Sequence, residues 1–257
     1  MTGPRGAALV TGGGKRIGKA ISMRLAREGF ALALHSSARS RADAEATRAE
    51  IIAAGGRACV VVCDLETIDA ARVIAQAQEQ AGPLGALVNN ASLFERDVAA
   101  PFDAALFDRH MAVNLRAPLL LASAFRAALP ACARGVIVNV LDQRVARLNP
   151  HYFSYTLSKS ALQTATQTLA QSFAPDIRVN AVAPGPVMPN ANDGAHAFER
   201  EAAATPLQAA PAADEIADAV AYLVNARSVT GQTIFVDGGQ RLAWRTPDVI
   251  AGYEGQG

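Results

Sequence analysis

Residues 11–18 read Thr11-Gly12-Gly13-Gly14-Lys15-Arg16-Ile17-Gly18, and what flanks them decides the fold. The short apolar run Ala7 to Val10 comes before them, and Ile17, Ala20, Ile21 and Leu25 then recur at helical spacing. A strand therefore feeds a tight glycine turn that opens an amphipathic helix. Glycines let such a turn bend sharply and approach a ligand closely, and the helix N-terminus adds unpaired N–H groups that favour a pyrophosphate. Any tight strand-to-helix turn can use glycine, so the cluster alone says little. Its place between strand and helix points to a dinucleotide, with Gly12, Gly14, Arg16, Ile17 and Gly18 as its binding set.

The same alternation continues outward. Gly29 stops the first helix, and Phe30 to Leu34 reads as the next strand. A helix over 41–54, strand Ala58 to Val62, a helix over 67–81 and strand Ala86 to Val88 follow. Next come a helical stretch ending near Leu129, strand Val136 to Leu141 and a long helix from about Tyr152 to Phe173. Strand Ile177 to Ala183, a helix over 212–226 and strand Thr233 to Val236 complete the pattern. Strands without in–out alternation, separated by helices, predict a parallel sheet covered on both faces. Right-handed crossovers make it a doubly wound α/β sheet of the Rossmann type. No stretch is rich enough in Gly, Ser or Pro to divide the chain, so residues 1–257 are expected to form a single dinucleotide-binding domain. Two long connections stand out, 91–103 and 184–211, the second carrying Pro184, Pro186, Pro189 and Pro206. Long loops at the carboxyl ends of parallel strands are where ligands bind, and 184–211 reads as a substrate lid.

Composition narrows the function. The 257 residues are 51% hydrophobic and 18% charged, enough apolar side chain for a large core and too much for a disordered chain. The net charge of +1 supplies no field for nucleic acid or an anionic membrane. Cys59, Cys63 and Cys132 are too few and scattered for a disulfide framework or a zinc cluster, and read as free thiols in a reducing cytoplasm. Met1 to Gly6 does not look like a signal peptide, and no apolar run approaches the roughly 18 residues of a membrane span. The expectation is a soluble, cytoplasmic, metal-free protein that acts on a small molecule.

The end of the second strand selects the dinucleotide. A carboxylate there, about 20 residues beyond the glycine turn, would hold the ribose 2′-hydroxyl of NAD. Here the residues are His35-Ser36-Ser37-Ala38-Arg39, and the first carboxylate is Asp43, already inside the next helix. Ser36, Ser37 and Arg39, with Arg16, suit a 2′-phosphate through charge-assisted hydrogen bonds, so NADP(H) is the expected cofactor. The plainer reading puts Arg39 and Arg41 on a solvated helix start.

Tyr155 and Lys159 lie four apart on a predicted helix and so share one face. An ammonium close to a phenol stabilises the phenolate and lowers the tyrosine toward the range of a general acid. Such a pair also occurs by chance on helix surfaces.

Taken together, the chain resembles the short-chain dehydrogenase/reductase family. The resemblance runs from the first strand to Val236-Asp237-Gly238-Gly239 and rests on several motifs. These are the glycine turn, Asp64-Leu65, Asn89-Asn90-Ala91, Asn114, Tyr155 with Lys159, and Pro184-Gly185-Pro186. It implies an NAD(P)-dependent reductase, usually a homotetramer. In it Asp64 and Leu65 contact adenine, and Asn90, Ala91 and Ser92 lie along the cofactor. Tyr155, Lys159, Pro184, Gly185 and Val187 also bind the cofactor, and Asn114 holds a proton-relay water. Two departures narrow the group. Most members carry a serine thirteen residues before the tyrosine, where this chain has Asp142, and most carry glycine where it has Arg16. Both departures, and the segment Asn89 to Phe94, resemble pteridine reductases and bacterial dihydromonapterin reductases. There Phe94 would stack on a pterin, Ser92 and Arg16 would contact it, and Met188 would wall the cavity.

The chemistry suits that resemblance. Reducing a pterin C=N bond needs hydride at carbon and a proton at ring nitrogen, which an Asp142–Tyr155 pair can shuttle, whereas a serine hydroxyl mainly polarises a carbonyl. Partly desolvated, Asp142 is expected to stay protonated near neutrality. Plainer roles stay open: Phe94 as a loop hydrophobe, Asp142 as a turn cap, Ser92 as a turn residue, and His35, His110, His151 and His196 as structural side chains. So do two other functions, a general carbonyl reductase and a non-catalytic NADP-binding sensor. At the C-terminus, Trp244 stands where some pteridine reductases place a basic residue that reaches a neighbouring subunit, and reads instead as interface packing.

Overall fold

The computed structural model describes residues 6–189 and 194–243; Trp244 and part of the 184–211 connection lie outside them. Seven strands form one sheet in the order β3-β2-β1-β4-β5-β6-β7. They are β1 Ala7–Thr11, β2 Ala31–Ser36, β3 Arg57–Val62, β4 Leu84–Asn89, β5 Gly135–Val140, β6 Ile177–Pro184 and β7 Thr233–Val236. Every neighbouring pair is parallel. The helices are α1 Arg16–Arg27, α2 Arg41–Ala53, α3 Ala70–Ala81, α4 Ala104–Met111, α5 Ala117–Ala128, α6 Phe153–Phe173, α7 Gly194–Ala203 and α8 Ala213–Asn225.

Core residues explain the layering. Leu9, Leu32, Val88 and Ile137 are wholly buried, as strands covered on both faces require. One apolar cluster joins the sheet to α1 and α8 through Ile21, Leu25, Val220 and Leu223, and a second joins the opposite face to α3 and α5 through Ile74, Ala77, Leu121 and Phe125. The order reverses between β1 and β4, so the crevice beyond their carboxyl ends is where a doubly wound sheet binds its ligand.

Two expectations needed revision. The 184–211 connection is not all loop, since α7 lies within it; the prolines on either side masked a helix of ten residues. The stretch before Leu129 is two helices joined by a π-helical turn over Ala112–Arg116, and that wide turn carries Asn114. Such turns recur at functional sites because they redirect one side chain without ending the helix.

Candidate active site

The glycine turn is held from three sides. Thr11 Oγ1 accepts the backbone N–H groups of Asn90 and Ala91 at 2.9 and 3.0 Å, and Asn90 Nδ2 donates to the Thr11 carbonyl at 2.8 Å. These bonds lock the ends of β1 and β4 together at the switch point. His35 Nδ1 accepts from Gly12 N at 3.3 Å while Nε2 faces the Cys63 carbonyl, also at 3.3 Å, which places its proton on Nε2. Burial pushes His35 down to about 4, so the ring is neutral in its structural role. A Cβ at Gly18 would overlap the Gly12 carbonyl oxygen, and one at Gly14 would stand 2.5 Å from Ala44 Cα. Gly14 thus serves the packing of α2, and unlike Gly12 and Gly18 it does not line the crevice.

A cavity of about 810 Å³ opens there. Gly12, Arg16, Ile17 and Gly18 form its floor, and Ser37 and Arg39 stand at the end where a 2′-phosphate is expected. Asp64 and Leu65 follow β3, and Asn90, Ala91 and Ser92 follow β4. The residues fit a dinucleotide phosphate: α1 has neither a side-chain cap nor an acidic residue in its first turn, which leaves that N-terminus for an anion. Ser36 is a correction. It ends β2 with its hydroxyl buried and unbonded, and strand alternation turns it away from the cavity that His35 and Ser37 line.

A second cavity, about 670 Å³, adjoins the first, and Arg16, Ile17, Asn90 and Ser92 line both. Its walls include Phe94, Asp142, Tyr155, Lys159, Pro184, Gly185, Val187 and Met188. Tyr155 Oη donates to Asp142 Oδ2 at 2.9 Å. Lys159 Nζ donates to the Val140 carbonyl at 2.8 Å and lies 5.8 Å from the Tyr155 ring centroid. Burial pushes the ammonium down to about 8, against the opposing pull of Asp142. Burial first, and then the Asp142 carboxylate, hold the Tyr155 phenol well above its ordinary value. The Arg144 guanidinium beside the pair pulls the other way, toward the phenolate.

Asp142 has a second, unforeseen partner. Its carboxyl is not a lone acid: Arg144 Nη1 lies 3.3 and 3.2 Å from its two oxygens, and Arg144 N donates to Oδ1 at 2.8 Å. The carboxyl is thus anchored at both oxygens by its own turn. Asp142 is both the turn cap of its plainer reading and the partner of Tyr155.

Phe94 and Asn114 complete the site in unforeseen ways. The Phe94 ring stacks on Tyr152, with centroids 4.3 Å apart and planes at 6°, and meets Tyr155 edge-on at 4.6 Å. Asn114 is buried and its side chain is occupied. Its Oδ1 accepts from Leu93 N and Ser92 Oγ at 2.8 and 3.1 Å, and its Nδ2 donates to Leu93 O and Ser158 Oγ, both at 3.0 Å. It braces the Ser92–Phe94 segment against α6, which leaves its amide no free group for a relay water. Tyr152, Asp97 and Arg144 were missed. Tyr152 has φ +57° at the head of α6, an uncommon conformation for a large side chain. Asp97 caps that helix from the 91–103 connection, both carboxylate oxygens lying 3.1 Å from Ser154 N.

A crevice at the switch point of a doubly wound sheet, adjoining a buried phenol and ammonium and a part-exposed carboxylate, is the working arrangement of a nicotinamide-dependent oxidoreductase. Known proteins agree: the enoyl-(acyl carrier protein) reductase family model matches residues 12–241, and the chain belongs to the short-chain dehydrogenase/reductase family. Among solved structures it is similar to FolM alternative dihydrofolate reductase 1 from Brucella canis complexed with NADP (51% identity, TM-score 0.91, 95% of this chain and 96% of that one). The corresponding Brucella suis protein is 52% identical, with TM-score 0.91 and coverage of 94% and 97%. The dihydromonapterin reductase of Klebsiella pneumoniae is 31% identical over 91% of this chain and 96% of its own. No described helix is long and apolar enough to cross a membrane.

Proposed function

We propose that this chain is an NADPH-dependent reductase of a pterin-type C=N bond, in a dihydropterin or dihydrofolate. The carrying observation is the 2.9 Å hydrogen bond from Tyr155 to Asp142 in a cavity contiguous with the dinucleotide crevice. The NADP-bound FolM structures support the cofactor, as do Arg16, Ser37 and Arg39 at the crevice. When bound, NADPH supplies the hydride. The chain supplies the proton. Because burial makes a free Tyr155 phenolate costly, the phenol acts as a relay, giving its proton to the ring nitrogen as it takes one from the Asp142 carboxyl. Asp142, its side chain 16% exposed, refills from solvent, and Lys159 favours the negative charge developing on Tyr155 Oη. Phe94, Arg16, Ser92 and Met188 wall the flat substrate. Asn114 contributes by holding the Ser92–Phe94 segment. Leu120 and Leu157, exposed on α5 and α6, suit burial in the expected homotetramer.

The test follows NADPH oxidation with dihydrobiopterin, dihydromonapterin, dihydrofolate and a 3-oxoacyl thioester. The dihydropterins are expected to be reduced and the thioester poorly. Phe94→Ala and Asp142→Ser are expected to impair dihydropterin reduction and leave NADPH binding intact, Phe94→Ala by about two- to twelvefold, the worth of one aromatic stack. Undiminished turnover in both variants would refute the assigned roles.

A further inference from the structure

Arg144 has no part in the relay described so far, yet five contacts converge on it. Its Nη1 reaches both Asp142 oxygens, its backbone N–H donates to Oδ1, and its guanidinium carbon lies 5.5 and 5.2 Å from the Phe94 and Tyr152 ring centroids. The side chain is 15% exposed, and Nε is buried with no hydrogen-bond partner. The grip on Asp142 and the fit against the two rings set its pose. With Tyr155 Oη on Oδ2, the Asp142 carboxylate is held in one orientation.

Resting on the relay reading above, we propose that Arg144 is the positioning residue of the proton-delivering pair: it fixes the Asp142 carboxyl against Tyr155 and, through its charge, sets the pH above which proton delivery fails. The groups that face Asp142 define the balance. Arg144 comes from its own turn, and Tyr155 and Lys159 come from α6. From α4 the His110 ring lies 6.3 Å from that of Tyr155, and from α7 Glu201 acts on Arg144 electrostatically. Arg144 is the cation in direct contact with both carboxylate oxygens. It opposes loading of the carboxyl with a proton, so turnover falls as pH rises, and removing it lets loading persist to higher pH.

The experiment measures kcat against pH, and NADPH affinity by titration, for the wild type, Arg144→Met and Arg144→Lys, with Arg144→Gln replacing Met if that variant does not bind NADPH. The falling limb of the profile is expected to move up by about one to three pH units in Arg144→Met. It is expected to return toward wild type in Arg144→Lys, with NADPH affinity within about twofold throughout. Superimposed limbs, equal shifts in the Met and Lys variants, a wild type with no falling limb, or loss of NADPH binding in every variant would overturn the proposal. Profiles use whichever of dihydropterin or 3-oxoacyl thioester the wild type reduces, so a wrong substrate reading shows in the wild type alone; a wild type that reduces neither overturns both.

Discussion

Replacing Asp142 by asparagine isolates the carboxyl's contribution. The amide keeps the shape and still accepts from Tyr155 Oη, where the carboxylate now accepts at 2.9 Å, but it cannot take a proton from solvent and pass it on. Proton transfer by a positioned side chain is worth about 10²–10⁴ in rate. The expected loss in kcat with dihydropterin is of that order, about 3–5 kcal/mol of barrier. Asp142 opens on the second cavity and not on the first, so NADPH affinity is expected to stay within about twofold of the wild type. The substitution also strips Arg144 of its counter-charge in a site where the side chain is 15% exposed. Losing that charge-assisted contact is expected to cost about 1–3 kcal/mol in urea unfolding. The assay is NADPH oxidation under saturating substrate across the acid-to-neutral range, beside a coenzyme titration and an unfolding curve. The falling limb of the wild-type profile is expected to vanish with the carboxyl. A variant within twofold of the wild-type kcat that kept that limb would refute the relay and leave Asp142 only its role as a turn cap.

Three further outcomes follow from the geometry. Arg39→Ala removes a cation from the crevice end where the 2′-phosphate is expected, and should weaken NADPH by about tenfold or more, the worth of a charge-assisted hydrogen bond, with NADH little changed in parallel titrations. Asp97→Ala takes the cap from the first turn of α6 and should cost about 0.5–2 kcal/mol, read as a fall in melting temperature of about 2–4 °C per kcal/mol. His35 titrates at about 4 in the fold against an ordinary 6.5, so its neutral form is favoured by folding. That contribution is fully present above 6.5 and is lost as pH falls toward 4, roughly 3 kcal/mol in all. Unfolding curves on either side of this window should show the drop in the wild type and a much smaller one in His35→Gln.

Local chemistry was legible in the sequence where the signal is itself local. The glycine turn, the strand-and-helix alternation and the Tyr155–Lys159 spacing are set by neighbours within a few positions, and the structure has them where the pattern put them. Contacts made across the chain were not. Asp97 caps a helix 57 residues on, and Asn114 reaches back 21 residues to Leu93 and forward 44 to Ser158. No periodicity announces such bonds. Arg144 sits two residues past Asp142, where a basic residue after a strand reads as solvated loop until Phe94 and Tyr152 are folded against it. Ser36 was misjudged because the hydroxyl type was read without the strand parity that decides which face it takes. The Arg144 partner of Asp142 was hidden for a related reason, since Arg144 lies in the same turn but its direction is set by the fold.

The party wall of Arg16, Ile17, Asn90 and Ser92 between the two cavities constrains how this enzyme can diverge. A mutation there trades substrate preference against coenzyme grip, so drift toward new substrates is channelled to the far side, where Phe94, Met188 and the α7 residues touch only the second cavity. Libraries that spare the wall and randomise that side should recover altered reductases that still run on the same coenzyme.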